Sequence, residues 1–498
     1  MAGKKKIGIV VKVFIFLALL LLMVYGINRT LTPKYLYRNG RSTNTYAGFY
    51  EMEPETVDVL LLGSSHTQCA LNPQDIYDET EIRSYNLASS SQPMWISYYW
   101  LKEALQYQSP KVVILDCYML FLELEENESA ARIALNDMKN GSVKQEAIKT
   151  VTELDGSQTF LSYVLDNIRY HTRWTELEEA DLAWWEADAG ILAKGFSGVL
   201  EMCDDTTYEP LEPEASVEAD EFEENAAVYL DRITELCDEN GIELILIKTP
   251  TRAETLGRNA AVKTYADAHN LTFYDFNMKE LYDKIGFEYA SDMSDSAYDG
   301  VKNAHANPSG ARKISRYLAN EMLGVNGLTA VVDEQWEESR AFNEHIWENF
   351  ELRNETDLAS YIAMLDQERY TTFISVRYEA SSRLNEEIDE AMRSLGFAFP
   401  LSEHYGYSYL AIKDGEVLTE IMEDDYVDAS GTLREGRVPY YIFSAALDYG
   451  NNSSILIDGT EYSYNDRGIN IVVYDNEIKT VIDQVCFDTY EPECTAYR

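Results

Sequence analysis

Three short runs of consecutive apolar residues constrain the fold more than any other feature: Val57-Asp58-Val59-Leu60-Leu61-Leu62, Lys111-Val112-Val113-Ile114-Leu115-Asp116 and Glu243-Leu244-Ile245-Leu246-Ile247. A run that is apolar at odd and even positions alike suits a strand buried on both faces, the condition of a parallel sheet covered by helices. Between these runs the apolar spacing turns helical, from Trp95 to Tyr107, from Glu221 to Asn240 with Gly241 as its stop, and over 260–269. With two shorter strand patterns, Ser84–Ala88 and Leu271–Tyr274, and a closing helix from Ser309 to Met322, the alternation predicts an α/β domain over residues 57–325. Residues 119–200 interrupt it as a Glu-rich and Trp-rich insert, in which Trp174, Trp184 and Trp185 suit core packing or a substrate groove.

Open α/β sheets bind ligands at the carboxyl ends of their strands. The first run ends in Gly63-Ser64-Ser65-His66, small residues that let the backbone turn sharply and present a hydroxyl at the strand tip. Ser65 is therefore a candidate nucleophile, although the same residues also suit an ordinary helix-capping turn. A partner stands in the loop that opens the last helix, Asn303-Ala304-His305-Ala306-Asn307-Pro308-Ser309-Gly310, where an imidazole can accept a serine proton near neutral pH. His66 reads as a wall or substrate contact, because adjacent residues in a turn rarely aim at one another. His171, His269, His345 and His404 show no ligand spacing, so neither metal nor cofactor is expected. The six cysteines contain no C-x-x-C pair; Cys486 and Cys494 are candidates for a bridge.

A length of 498 residues predicts more than one domain, and a formal net charge of -45, from 86 acidic against 41 basic residues, excludes a nucleic-acid partner. Residues Ile7 to Ile27 are apolar except for Lys12 and follow Lys4, Lys5 and Lys6. This pattern predicts a single membrane span with its amino end in the cytoplasm and the bulk of the protein outside. A cleaved signal peptide is the rival, weakened by Val24-Tyr25-Gly26, a poor cleavage site. The expected plan is a stub and anchor at 1–28, a stalk at 29–56, the α/β domain, a charged connector at 326–356 and a strand-rich α+β domain at 357–498.

Gly63-Ser64-Ser65-His66 after an apolar strand, Asn86-Leu87-Ala88-Ser89 after the next, and a His-x-Asn-x-x-Gly block opening the final helix resemble the motif series of the SGNH/GDSL hydrolase superfamily. The resemblance covers about 55–325 and is nearest in kind to membrane-anchored cell-surface members similar to teichoic-acid D-alanyl transfer and exopolysaccharide O-acetylation proteins. It implies a three-layer fold with Ser65 as nucleophile, His305 as base and an oxyanion-hole N–H near Ala88 or Ser89. Three positions depart from the pattern: Ser64 replaces the usual Asp, Lys302 stands where the catalytic Asp commonly lies, and Asp116-Cys117-Tyr118 replaces the block that carries an Asn. The acid is then expected at Asp299, or at Asp295 through a longer loop. In the C-terminal part, Asn465-Asp466-Arg467-Gly468-Ile469-Asn470 and Phe487-Asp488-Thr489-Tyr490 resemble segments of the interleukin-like EMT inducer domain. So do Ser381-Ser382-Arg383-Leu384 with Ser394-Leu395-Gly396, and Tyr407-Ser408-Tyr409, in an order that a circular permutation would give. That resemblance implies a lectin-like, non-catalytic module.

The expectation is a membrane-anchored extracellular esterase or O-acyltransferase acting on acylated cell-envelope polysaccharide, working with a membrane partner of polysaccharide export or acyl transfer. The alternative is a non-catalytic glycan-binding or scaffold protein on a degenerate version of the same fold.

Overall fold

The apolar runs become the centre of a five-stranded, wholly parallel sheet in the order β2-β1-β3-β4-β5, with β1 at Val59–Leu62, β2 at Ser84–Asn86, β3 at Val112–Asp116, β4 at Glu243–Lys248 and β5 at Thr272–Asp275. This computed structural model describes all residues except 1, 34–44, 123–127, 178, 183–189, 204, 295–296, 299–300, 303–304, 434–435, 437 and 492–493. Every residue of β1 and β3 is buried, as their two-sided apolar pattern requires.

Helix α1 spans Ala2–Leu31, and its segment Ile9–Leu31 is long and apolar enough to cross a membrane. Helices α2 (Ser65–Ala70) and α3 (Pro73–Thr80) follow β1, α4 (Met94–Ala104) follows β2, and α5 (Glu224–Asn240) precedes β4. Helix α6 (Leu256–His269) joins β4 to β5, and α7 (Pro308–Glu321) closes the unit. Helix α7 packs on α2 and α3, whereas α4 and α5 pack on each other. Glu223 caps α5 through hydrogen bonds from the Asn225 and Ala226 amides, and Gly241 ends it with φ +64°.

The expected stalk is corrected in part. Residues 45–56 are not a lead into the domain but part of its core: Tyr46, Phe49 and Met52 are buried, and Tyr46 stacks on Trp100 at 4.3 Å. The insert also contributes to that core, through Ala131, Ala134, Val143, Ile148 and Tyr163. Trp174 does not take the core-packing role, being 70% exposed; Trp184 and Trp185 lie outside the described residues.

The chain divides into two compact units, and Asn343–Arg498 with Gly198–Cys203 forms the second. It is built on a ten-stranded mixed sheet. Central strand β6 (Tyr370–Tyr378) pairs with β7 (Ser408–Asp414), and β7 pairs with β8 (Val417–Glu423). Strand β9 (Val427–Thr432) pairs with β10 (Pro439–Ala446), which continues to β11 (Asn452–Ile457) and the two-residue β12 (Thr460–Glu461). On the other side of β6 lie β13 (Gly468–Asp475), β14 (Thr480–Asp488) and β15 (Thr495–Tyr497). Helix α8 (Glu386–Ser394) covers one face with Ile388 and Met392 in the core. The register sets β7, β9 and β13 starting at the end of the sheet where β6, β8, β10 and β14 stop. Six exposed tyrosines sit in the loops of that end: Tyr405, Tyr407, Tyr426, Tyr449, Tyr464 and Tyr490. Cys486 and Cys494 form no bridge; both thiols are free, and Cys486 Sγ contacts the Arg467 carbonyl at 3.4 Å.

Candidate active site

Strand β1 stops at Gly63, whose φ of +153° and surroundings both demand a missing side chain: a Cβ there would lie 2.1 Å from Thr67 Oγ1. Ser64 then caps α2, its Oγ accepting from the His66 amide at 3.4 Å. That capping role suits a serine as well as an aspartate. Ser65 becomes the first residue of α2, half-buried at the tip of the sheet.

His305 arrives from the other end of the chain. The Ser294 hydroxyl donates to its carbonyl (2.9 Å) and accepts from its amide (3.2 Å), while the Ser294 amide donates to the same carbonyl at 2.7 Å. Two residues on, Asn307 caps α7 through the Ser309 and Gly310 amides, and its Nδ2 donates to the carbonyls of Ser291 and Met293. Gly310 fits because a Cβ would meet the Asp292 carbonyl at 2.2 Å. The His-x-Asn-x-x-Gly block thus clamps one loop to one helix end. Its outcome is a hydrogen bond of 2.8 Å between His305 Nε2 and Ser65 Oγ, across 240 residues of sequence.

His66 completes this corner with two ring contacts, on Tyr118 at 4.0 Å and on His305 at 4.8 Å between centroids. It is buried, and its Nε2 meets no hydrogen-bond partner among the described residues. Burial first, and the neighbouring His305 second, hold its pKa well below 6.5, so His66 is a neutral imidazole at physiological pH. Tyr118 was not a sequence candidate; its position directly after Asp116-Cys117, at the tip of the strand beside β1, was the available signal.

Asn86 anchors the tip of β2: its Nδ2 donates to the carbonyls of Thr67 (3.0 Å) and Leu71 (2.9 Å), tying the strand to α2. Its Oδ1 accepts the Ala88 amide at 3.1 Å. The Ala88 N–H expected for an oxyanion is therefore already committed within the loop, and Ala88 drops out as a donor. Ser89 is buried, and its Oγ accepts from the Tyr46 hydroxyl at 2.8 Å. Asp116 holds the neighbouring strands together, accepting from the Tyr118 amide (2.7 Å) and the Thr249 amide (3.1 Å), with its pKa raised by burial. Asp299 and Asp295 both lie outside the described residues, where only the short antiparallel pair Ala297–Tyr298 and Val301–Lys302 is described nearby.

The arrangement can accept a proton from a serine hydroxyl at the carboxyl end of a parallel sheet, beside a neutral aromatic wall. No protein-family profile matches the chain, and no curated protein matches it. Among solved structures it is similar to a "putative acylhydrolase" from Bacteroides fragilis, at 12% identity over 56% of this chain and 95% of that one, with a TM-score of 0.24.

Proposed function

We propose that this protein is a membrane-anchored serine esterase or O-acyltransferase of the SGNH type, acting outside the cell on acyl groups of envelope polysaccharide. The observation that carries the reading is the 2.8 Å hydrogen bond between His305 Nε2 and Ser65 Oγ at the tip of β1. His305 takes the hydroxyl proton as Ser65 attacks the acyl carbonyl; the tetrahedral intermediate collapses to an acyl-serine, and His305 returns the proton to the departing sugar oxygen. Water or a second sugar hydroxyl then takes the acyl group by the reverse sequence. The Ser65 amide, at the first position of α2, and the Ser89 amide are assigned to the oxyanion, and Asp299 to orienting His305. His66 is assigned to the wall that contacts substrate.

The polysaccharide assignment draws on the second unit, whose six exposed tyrosines line one end of its sheet. Tyrosine rings offer flat apolar faces with a polar tip, which suits sugar rings. The test uses the full chain in detergent with a fluorophosphonate probe and p-nitrophenyl acetate. Labelling and turnover in wild type, both lost in Ser65→Ala and His305→Ala, are expected. A folded wild type that is inert to both reagents would overturn the enzyme reading and leave the glycan-binding one.

A further inference from the structure

The outer part of the insert carries an exposed apolar surface that the chemistry above does not use. Over residues 160–182 the chain forms short helical turns, Phe160–Val164, Asn167–Tyr170, His171–Thr175 and Glu179–Leu182. Phe160, Leu161, Val164, Ile168, Trp174 and Leu182 are all exposed, with Trp174 at 70%. Single exposed apolar residues are ordinary; a concentration of this kind marks an interaction surface.

Its position identifies the occupant. The carboxyl end of α1 packs against these same turns. The Asn167 amide donates to Asn28 Oδ1 (2.9 Å), the Thr32 hydroxyl donates to the Asp166 carboxylate (3.0 Å), and the Arg173 guanidinium donates to the Leu31 carbonyl (2.7 Å) and to Asp181 (2.8 Å). A helix with 23 apolar-rich residues rises about 35 Å, enough for a hydrocarbon core of about 30 Å. Turns bonded to its last residues therefore stand where such a helix leaves the bilayer. Within 160–182 five acidic residues stand against two arginines, Arg169 and Arg173, so charge does not draw this stretch to an anionic surface. Only apolar contact remains.

We propose that residues 160–177 and 179–182 form a collar that docks on the membrane: its exposed apolar side chains enter the interfacial layer of the leaflet from which α1 emerges, with Trp174 at headgroup level. Tryptophan favours that depth, where its ring is apolar and its N–H stays wet. The collar fixes the orientation of the α/β unit over the lipid surface. The inference rests on α1 spanning the bilayer and is independent of the Ser65 chemistry.

The test uses full-length protein, with Cys494→Ser, in phosphatidylcholine and phosphatidylglycerol nanodiscs. Nitroxides are placed singly at Leu161→Cys, Ile168→Cys and Trp174→Cys, with Leu323→Cys, exposed elsewhere on the unit, as the water-facing control. At the three collar sites, collision with oxygen should exceed collision with a nickel chelate several-fold, the control should show the reverse, and 0.5 M NaCl should change neither. Collar sites as open to nickel as the control would overturn the proposal. Sites shielded from both reagents would overturn it in favour of a protein partner. Intact-mass analysis of the mature protein tests the premise that α1 is retained. A mature chain that has lost α1 overturns the proposal, because that helix is what places the collar at the bilayer.

Discussion

At the residue scale, His66 buries a ring nitrogen, Nε2, that meets no hydrogen-bond partner among the described residues, and such burial costs about 1–3 kcal/mol. His66→Phe keeps the ring contacts with Tyr118 and His305 and removes that atom. The variant is expected to be as stable as wild type or about 1 kcal/mol more stable by urea denaturation. A clear loss of stability would mean that the imidazole nitrogen serves the packing of this corner. The acid limb of the pH–rate profile should be the same in both proteins, because His66 is neutral throughout the working range. Much of this corner was legible in the sequence: Gly63 and Gly310 mark close approaches, Asn307 caps a helix, and two loops in one α/β domain can meet. The Ala88 amide was not, because its acceptor is a side chain two residues back, Asn86, whose rotamer no spacing rule predicts.

At the element scale, the strands were legible because burial on both faces leaves a continuous apolar run, and their boundaries shifted by a residue or two where capping decides them. The packing of residues 45–56 was not legible. Tyr46, Tyr50 and Tyr85 look polar in sequence, yet their hydroxyls are satisfied internally by Ser89, Glu103 and the Thr45 carbonyl. The tip of β2 depends on a comparable bond pair. Asn86→Ala leaves the Leu71 carbonyl without its donor and the Thr67 carbonyl with only the Leu71 amide, and should destabilise the α/β unit by about 2–4 kcal/mol, read from denaturant midpoints. Just beyond, the Asn86 amide donates to the Lys194 carbonyl, and the Lys194 ammonium is buried between the Ser339 hydroxyl and the Trp336 ring. Burial lowers its pKa from 10.5 to about 8. The unfolded chain then binds more protons between pH 8 and 10.5, so this residue makes wild type more stable as pH rises through that window. Lys194→Met lacks the effect. The stability difference between Lys194→Met and wild type should therefore shift in favour of wild type by up to about 1.4 kcal/mol per pH unit across that window, and a pH-independent difference would refute the assignment.

At the scale of the whole molecule, two opposing electrostatic effects meet. Short ion pairs such as Arg83–Asp58, Lys313–Asp292 and Arg353–Asp483 are local and partly shielded from solvent, so added salt weakens them only modestly. The excess of 86 acidic over 41 basic residues acts over longer distances, and folding concentrates it into a smaller volume. Beyond the screening length of about 10 Å at 0.1 M salt, the repulsion is the term that salt removes. The full chain in a neutral detergent should therefore unfold at progressively higher temperature as NaCl is raised from low ionic strength to about 0.2 M, then level off as screening saturates. An equal ionic strength of sodium acetate should give the same curve, because screening does not depend on the identity of the anion. A melting temperature that falls over this range would mean that the local pairs outweigh the net charge. A rise confined to one salt would point to a bound ion in place of screening.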